Sequence, residues 1–296
     1  MRIEKRDSVL VTGAAGSLGL ETALSLAERG LRVFASARSP VQHAAILDAA
    51  RERGVAVDTV ELDVNDEPSI ATALQTIVEA SGSLYGVVNI AGIQARGYFE
   101  DVDEAEIRRV LDVNLFGTMR VVRHALPYLR AVRRGRIAVM SSIAGRIGSM
   151  GLSAYAASKF ALEGFAESLA LEVQPLGIRV AIIEPGIVRT DIWGKNRRTT
   201  PRALDPSGPY YQWFQRAEQE ADRLVGSSKL TPADVAAAVA RALTDRRPRL
   251  RYMVGNRASL VLALRRHLPG ELFERLYFGE VVRRVTGRRR MAGPGR

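Results

Sequence analysis

Short apolar runs alternate with longer segments of helical periodicity along most of the chain. The runs at 9–11 and 180–183 are apolar at every position, which suits strands that are covered on both faces of a sheet. Strands that alternate with helices indicate a parallel sheet joined by helical crossovers. The pattern therefore predicts an α/β fold, a doubly wound parallel sheet of about seven strands with helices on both faces.

The predicted elements follow one another without an internal repeat or a linker. Strands are expected at 8–12, 31–37, 55–62, 84–90, 136–141, 178–184 and 249–254, and helices at 18–29, 41–53, 67–80, 102–130, 153–173 and 231–243. The last of these helices has the clearest start signal, because Thr231 can serve as N-cap with Pro232 in the first turn. We expect a single domain over residues 1–255.

Two segments depart from this alternation. Residues 187–229, called the lid below, are rich in polar residues, Gly and Pro and hold the aromatic cluster of 210–214. We expect one or two helices there but no strand. Residues 256–296, called the tail, interleave leucine and valine with arginine, which predicts a basic amphipathic extension that is helical to about Val285. Residues 287–296 are expected to be disordered.

The net charge of +11 resides in the C-terminal part of the chain. Residues 246–296 hold 14 Arg and 3 Glu, so the residues before them balance to zero. No nucleic-acid-reading module accompanies these arginines, and we expect no nucleic-acid partner. Two interpretations of the tail stay open, since it could lie on an anionic membrane surface or could cover the lid or a subunit partner.

The chain has no cysteine and only three scattered histidines. Disulfides, cysteine-ligated zinc and thiol catalysis are thereby excluded, and no metal site is expected. No signal core precedes the first strand, and no uncharged apolar stretch is long enough to cross a bilayer. We expect a cytoplasmic protein that the tail could attach to a membrane surface.

A glycine-rich turn joins the first predicted strand to the first predicted helix. Gly13, Gly16 and Gly19 let the backbone approach a pyrophosphate, whose charge the helix N-terminus would stabilise. The second strand ends in Ala37-Arg38, where an NAD site has a carboxylate for the ribose hydroxyls. Because arginine pairs with a 2′-phosphate and a carboxylate repels it, we expect NADP(H) to be preferred over NAD(H).

A tyrosine and a lysine four residues apart share one face of the helix at 153–173. The charge of Lys159 would favour the phenolate and lower the pKa of Tyr155 from about 10. Tyr155 could then donate a proton to a carbonyl or accept one from an alcohol. Ser142 ends the fifth strand, and its hydroxyl could bond the substrate oxygen at the same sheet edge.

These motifs occur in the order typical of the classical short-chain dehydrogenase/reductase family, which the sequence resembles over roughly residues 7–255. They are Thr12–Gly19, Asn89-Ile90-Ala91-Gly92, Asn114, Ser142, Tyr155-Ala-Ala-Ser-Lys159 and Pro185-Gly186-Ile-Val-Arg-Thr190. The resemblance implies a Rossmann-type fold and hydride transfer to or from a nicotinamide, between an alcohol and a ketone. It also implies a homo-oligomer in which long helices of two subunits pair.

The resemblance assigns roles to four candidate catalytic residues. Tyr155 is the acid/base, Lys159 lowers its pKa and binds the nicotinamide ribose, Ser142 orients the substrate oxygen, and Asn114 supports a water of the proton relay. Candidate cofactor-binding residues are Gly13, Gly16, Ser17, Leu18, Gly19, Arg38, Asp63, Val64, Asn89, Ala91, Gly92, Tyr155, Lys159, Pro185, Gly186, Val188 and Thr190.

Two positions depart from the family pattern. Ser17 stands where the loop Thr-Gly-x-x-x-Gly-x-Gly has its middle glycine, and Ile90 takes the second position of Asn-Asn-Ala-Gly. Ser17 keeps a backbone N–H for a phosphate, and Ile90 changes packing rather than chemistry.

Two questions of function stay open in the sequence. The lid aromatics, with Ile192 and Trp193, predict a hydrophobic ketone or secondary alcohol as substrate, although they could serve only to pack the lid on the core. A second hypothesis is a catalytically idle NADP(H)-sensing or scaffold protein that acts through its tail. The intact Asn, Ser, Tyr and Lys set favours the enzyme, because a sensor needs no acid/base.

Overall fold

The computed structural model describes residues 7–194 and 196–287 of the chain. Its strands are β1 (Ser8–Val11), β2 (Arg32–Ala37), β3 (Asp58–Glu61), β4 (Gly86–Asn89), β5 (Arg136–Met140), β6 (Arg179–Pro185) and β7 (Arg251–Val254). All seven pair in parallel in one sheet of order β3-β2-β1-β4-β5-β6-β7. The predicted fold class and the predicted number of strands are confirmed.

Ten α-helices occur within the described residues. They are α1 (Ser17–Glu28), α2 (Pro40–Arg53), α3 (Glu67–Ser81), α4 (Glu104–Leu111), α5 (Gly117–Ala131), α6 (Ser153–Val173), α7 (Tyr211–Gly226), α8 (Pro232–Thr244), α9 (Asn256–His267) and α10 (Gly270–Thr286). Apolar residues of α1, α2 and α8 cover one face of the sheet, and those of α3, α5 and α6 cover the other.

The alternation of side chains along β1 explains this two-layered core. Val9 and Val11 point into the layer of α1, α2 and α8, whereas Leu10 points into the opposite layer. All three are fully buried, and each such side chain contributes about 1.5–3 kcal/mol through removal from water. The sheet is therefore anchored on both faces, and the carboxyl ends of its strands meet at one edge.

The prediction of one continuous helix over residues 102–130 is wrong. After α4 the chain makes a π-helical turn, Asp112–Phe116, before α5 begins. Asn114 lies within this turn, fully buried. The cause lies outside the local sequence, because the Asn114 side chain bonds to Ile93 and Ser158 of other segments. Single π-helical turns of this kind occur frequently at functional sites.

The lid has no strand among its described residues, as predicted. It contains two short 3₁₀ turns, Asp191–Trp193 and Pro201–Leu204, followed by α7. The tail forms α9 and α10, and Arg284 of α10 pairs with Glu220 of α7 at 2.8 Å. Thus α10 packs on the lid. The predicted disorder of the last residues falls mostly on 288–296, outside the described residues. No helix of the described residues is long and apolar enough to span a bilayer.

Candidate active site

Every candidate residue lies at or near the carboxyl edge of the sheet. The glycine-rich turn follows β1, Arg38 follows β2, and Asp63 and Val64 follow β3. Asn89 ends β4, and Ala91 and Gly92 follow it. Ser142 follows β5, Pro185 ends β6 and Gly186, Val188 and Thr190 follow it, and Tyr155 and Lys159 come from α6. Asn114 reaches the same edge from the π-helical turn.

The turn after β1 allows close approach of the backbone. Gly13 has a φ of +67°, and a methyl group on it would lie 2.8 Å from the backbone of Ala91. A methyl group on Gly19 would overlap the carbonyl oxygen of Gly13. Helix α1 begins behind Gly16, and no side chain in the described part of the chain caps its first turn. The open N–H groups of that turn fit a pyrophosphate.

The end of β4 holds a polar group that the protein itself does not satisfy. The side chain of Asn89 is buried, yet neither its Nδ2 nor its Oδ1 has a hydrogen-bond partner among the described residues. Thr12 Oγ1 accepts from the backbone N–H groups of Ile90 and Ala91 at 3.0 and 3.2 Å, which fixes the adjoining backbone. Because buried amides are normally paired, the Asn89 side chain fits a site that receives a polar ligand or water.

Asn114 is held by three hydrogen bonds. Its Oδ1 accepts from the N–H of Ile93 at 2.8 Å, and its Nδ2 donates to the Ile93 carbonyl and to Ser158 Oγ, both at 2.9 Å. A methyl group on Gly92 would lie 3.3 Å from Asn114 Oδ1 and 3.8 Å from Lys159 Nζ. The space beside Gly92 therefore adjoins both groups, and the second lone pair of Oδ1 is left for a water there.

Lys159 carries the most constrained charge of the site. Its side chain is buried, and Nζ donates to the carbonyl of Met140 at 2.7 Å. Nζ lies 5.6 Å from the centre of the Tyr155 ring. Burial lowers the pKa of Lys159 to about 8, and the nearby Glu163 carboxylate opposes that shift. The ammonium is therefore close to neutralisation at mildly alkaline pH.

Tyr155 and Ser142 are the candidate catalytic residues that solvent reaches. Both are partly exposed. Burial raises the pKa of Tyr155, and a hydrogen bond with Ser142 opposes the rise. The expected lowering of this pKa by Lys159 stays a prediction, since Lys159 Nζ donates to the carbonyl of Met140 and burial is the largest influence on the phenol. Tyr155 is protonated at neutral pH and can donate its proton.

Arg38 stands at the end of β2 with most of its side chain in solvent. Its Nη1 lies 3.8 Å from Asp63 Oδ2, so the two candidate residues adjoin. Ser36, two residues earlier, accepts a hydrogen bond from the N–H of Gly13 at 3.2 Å. This bond fixes the end of β2, and with it Arg38, close to the glycine-rich turn. A group that binds the adenosine half of a dinucleotide could lie in this position.

The lid aromatics divide between two roles. Phe214 is buried, 3.9 Å from the position a methyl group on Gly151 would take, so it packs the lid on the segment before α6. Tyr210 stacks on Tyr98 with ring centres 4.9 Å apart, and Trp213 tilts against Tyr210 at 6.3 Å. These three rings form an apolar wall, of which Tyr98 was not anticipated from the sequence.

An ionic network with buried carboxylates lies beneath α6, the helix that carries Tyr155 and Lys159. Arg251 of β7 bonds to both Glu163 and Glu184, and Arg146, four residues after Ser142, pairs with Glu184 at 2.8 Å. The network joins the helix of Lys159 to the segment of Ser142. Removing one partner of such a network typically costs about 3–5 kcal/mol because a buried charge is left uncompensated.

Three groups at the site were missed in the sequence. Ser158 bridges Asn114 and the carbonyl of Tyr155, and the carbonyl of Met140 receives Lys159. Glu163 adjoins Lys159 one helical turn on. A polar residue on the buried side of an apolar helix is a signal that could have identified Ser158 and Glu163, whereas a backbone carbonyl leaves none.

Proteins of known family are similar to this chain in sequence and in fold. A profile of the short chain dehydrogenases matches residues 7–201. Retinol dehydrogenase 8 of Bos taurus is 34% identical over 279 residues, which cover 90% of this chain and 88% of that protein. Human 17-beta-hydroxysteroid dehydrogenase type 1 is 32% identical over 271 residues, covering 88% of this chain and 81% of that protein. The crystal structure of an actinorhodin polyketide ketoreductase variant with NADPH has a TM-score of 0.68, 29% identity, and coverage of 83% of this chain and 93% of that one.

Proposed function

The chain belongs to the short-chain dehydrogenase/reductase family and is an oxidoreductase that acts on CH–OH groups, and from this premise we propose that it interconverts a hydrophobic secondary alcohol and its ketone with NADP(H). The observation that carries the proposal is the buried Lys159 ammonium beside the ring of a protonated Tyr155, with Ser142 bonded to the phenol. A general acid and an oxygen-binding hydroxyl in one place suit carbonyl reduction.

Four side chains take the catalytic roles in this proposal. Tyr155 donates its phenolic proton to the ketone oxygen, or accepts the proton of the alcohol in the reverse direction. Ser142 bonds the same oxygen and orients it. Lys159 stabilises the phenolate that remains, and Asn114 holds a water near Lys159 through which the proton is replaced.

The cofactor would lie along the carboxyl edge of the sheet. The first-turn amides of α1 at Ser17, Leu18 and Gly19 would bind its pyrophosphate, and Asp63 with Val64 would flank the adenine. The remaining candidates, Asn89, Ala91, Gly92, Pro185, Gly186, Val188 and Thr190, would hold the nicotinamide half. When bound, the nicotinamide supplies or accepts the hydride.

NADP(H) is the form we propose, on the strength of Arg38. Its exposed guanidinium follows β2, where it can form a bidentate pair with a 2′-phosphate, and the carboxylate typical of an NAD site is absent from that position. The ketoreductase of similar fold was solved with NADPH.

The substrate we propose is a lipophilic ketone or secondary alcohol. The wall of Tyr98, Tyr210 and Trp213 offers aromatic surface rather than charge. The names of two relatives, a retinol dehydrogenase and a 17-beta-hydroxysteroid dehydrogenase, describe substrates with large apolar bodies. Retinoids, steroids and long-chain ketones are therefore the classes to try first.

Two kinds of contact are proposed with other molecules. The tail, treated as an extension of the domain of residues 1–255, would bring the protein to an anionic membrane from the cytoplasmic side. Phe160 and Leu171 of α6 are exposed apolar residues of a long helix, and we propose that this face pairs with a second subunit. A monomeric mass in sedimentation at micromolar concentration would remove the second proposal.

The function is tested by following NADPH consumption with retinal, steroid ketones and long-chain ketones. Tyr155→Phe should lower kcat by about 10²- to 10⁴-fold, while NADPH binding, measured by fluorescence titration, stays unchanged. Tyr128→Phe, which removes a phenol from α5, is the matched control and should be fully active. Tight NADPH binding with no turnover of any carbonyl would instead favour a cofactor-sensing protein that acts through its tail.

A further inference from the structure

Arg96 lies between the lid and the start of α6, the helix that carries Tyr155 and Lys159. Its N–H donates to the carbonyl of Arg198, and its carbonyl accepts from the N–H of Thr200, both at 2.9 Å. The next residue, Gly97, donates its N–H to the carbonyl of Gly151 at 3.1 Å, one turn before Tyr155. The backbone at Arg96 and Gly97 is therefore fixed both to the lid and to the segment before α6.

The guanidinium of Arg96 is buried although it belongs to a loop. Its Nε donates to Glu218 Oε1 of α7 at 2.8 Å, and Nη2 donates to the same oxygen. The planar group lies over the indole of Trp193, 4.8 Å from the ring centre. Trp193 follows Thr190, a candidate nicotinamide contact, by three residues, so Arg96 contacts the part of the lid that directly follows the candidate cofactor residues of β6.

One nitrogen of this guanidinium has no acceptor. Within the described residues, Arg96 Nη1 is buried without a hydrogen-bond partner. A buried cationic N–H that lacks an acceptor is destabilising, and native proteins leave few of them unsatisfied. Its position beside Trp193, close to the aromatic wall of Tyr98 and Tyr210, indicates that the acceptor arrives with a bound molecule.

We propose that Arg96 Nη1 binds a neutral oxygen of the substrate, remote from the carbon that is oxidised or reduced. The inference rests on the proposed function and specifies its substrate class, a lipophilic ketone with a second hydroxyl, ether or carbonyl oxygen. A carboxylate fits poorly, because Glu218 and Asp222 already balance the charges of Arg96 and Arg197 and would repel a further anion. The aromatic wall would hold the apolar body between the two oxygens.

The test compares ketones that differ only in the remote oxygen. The probes are androstan-17-one with 3-hydroxyandrostan-17-one, and undecan-2-one with 11-hydroxyundecan-2-one, each reduced with NADPH. The wild type should favour the hydroxylated member of at least one pair by about 5- to 100-fold in kcat/KM. Arg96→Met and Arg96→Lys should both reduce the preference to below about threefold, with the ketone that lacks the hydroxyl little affected.

Two controls separate recognition from support of the lid. Arg96→Lys keeps the charge beside Glu218 but has a single nitrogen, which Glu218 would hold, so it reports on recognition even if Arg96→Met fails to fold. Arg197→Met removes the other arginine paired with Glu218 and should change both members of a pair in equal proportion. Turnover of both members without preference in the wild type would overturn the inference and leave the proposed function standing. No turnover of any ketone would overturn both.

Discussion

The hydroxyl of Ser17 accepts a hydrogen bond of 3.2 Å from the backbone N–H of Asp191. Ser17 belongs to the glycine-rich turn after β1, and Asp191 opens the first 3₁₀ turn of the lid. The residue that departs from the family's loop pattern therefore connects the phosphate end of the site to the lid. A glycine at this position could not make the bond.

Loss of this connection should loosen the lid without disabling the phosphate site. In Ser17→Gly the backbone N–H for the phosphate remains, while a bond worth about 1 kcal/mol is lost. We expect faster amide hydrogen exchange at residues 191–193 and a change in NADPH affinity of less than about fivefold. Ser25→Gly, in the same helix, is the control for a glycine placed in α1. Unchanged exchange at 191–193 would show that the bond does not restrain the lid.

The buried Lys159 makes stability depend on pH. Because its folded pKa of about 8 lies below the unfolded value of about 10.4, the unfolded chain binds more protons at this site in the interval between them. The lysine therefore destabilises the fold fully below pH 8, and the penalty fades as the pH rises towards the unfolded pKa.

Lys159→Met should remove that dependence. The free energy of unfolding of the variant, relative to wild type, should fall by about 2 kcal/mol between pH 7 and pH 9.5 in urea titrations. The substitution also leaves the Met140 carbonyl without its donor, but that loss of stability is the same at both pH values and cancels when the two are compared. A Lys229→Met variant, which changes an exposed lysine, should show no such trend. A constant difference for Lys159→Met would mean that the lysine titrates normally.

Reversal of charge at Arg38 should change the choice of cofactor. Arg38→Asp places a second carboxylate beside Asp63, which repels a 2′-phosphate and can bond the ribose hydroxyls of NADH. The ratio of kcat/KM for NADPH to that for NADH should fall by at least about tenfold, the equivalent of 1.4 kcal/mol. Arg51→Asp, the same substitution on the exposed face of α2, should leave the ratio as it is. An unaltered ratio in Arg38→Asp would exclude Arg38 from cofactor selection.

Exposed leucines of the tail should mediate membrane contact. Leu260 and Leu264 share a face of α9 and are 62% and 45% exposed, and arginines stand at both ends of that helix. The full chain should sediment with phosphatidylcholine vesicles that contain phosphatidylserine and not with phosphatidylcholine alone. Leu260→Glu combined with Leu264→Glu should weaken binding at least about tenfold, whereas Val41→Glu, at a site on α2 that is 79% exposed, should not. Equal binding of all forms would exclude the tail as the contact.

The sheet could be predicted because each strand carries its own signal, an apolar run bounded by turn residues. The site could be predicted because its groups follow successive strands, so that parallel pairing brings them to one edge. What escaped prediction depends on contacts between distant segments. The π-helical turn at Asn114 depends on hydrogen bonds with Ile93 and Ser158. Arg96 stands in a segment whose sequence suggests a solvated loop, and only the fold brings Glu218 and Trp193 over it. The contact between α10 and the lid likewise exists only in the folded chain.

The π-helical turn also constrains the length of the chain. A π-helical turn holds about one residue more than an α-helical turn. Deleting one residue between 112 and 116 would let α4 run into α5 as a regular helix with every backbone bond intact. It would also remove the bulge from which the Asn114 side chain reaches Ser158. A deletion scan should therefore find residues 112–116 among the positions of the protein that tolerate a deletion least, although a regular helix could form without one of them.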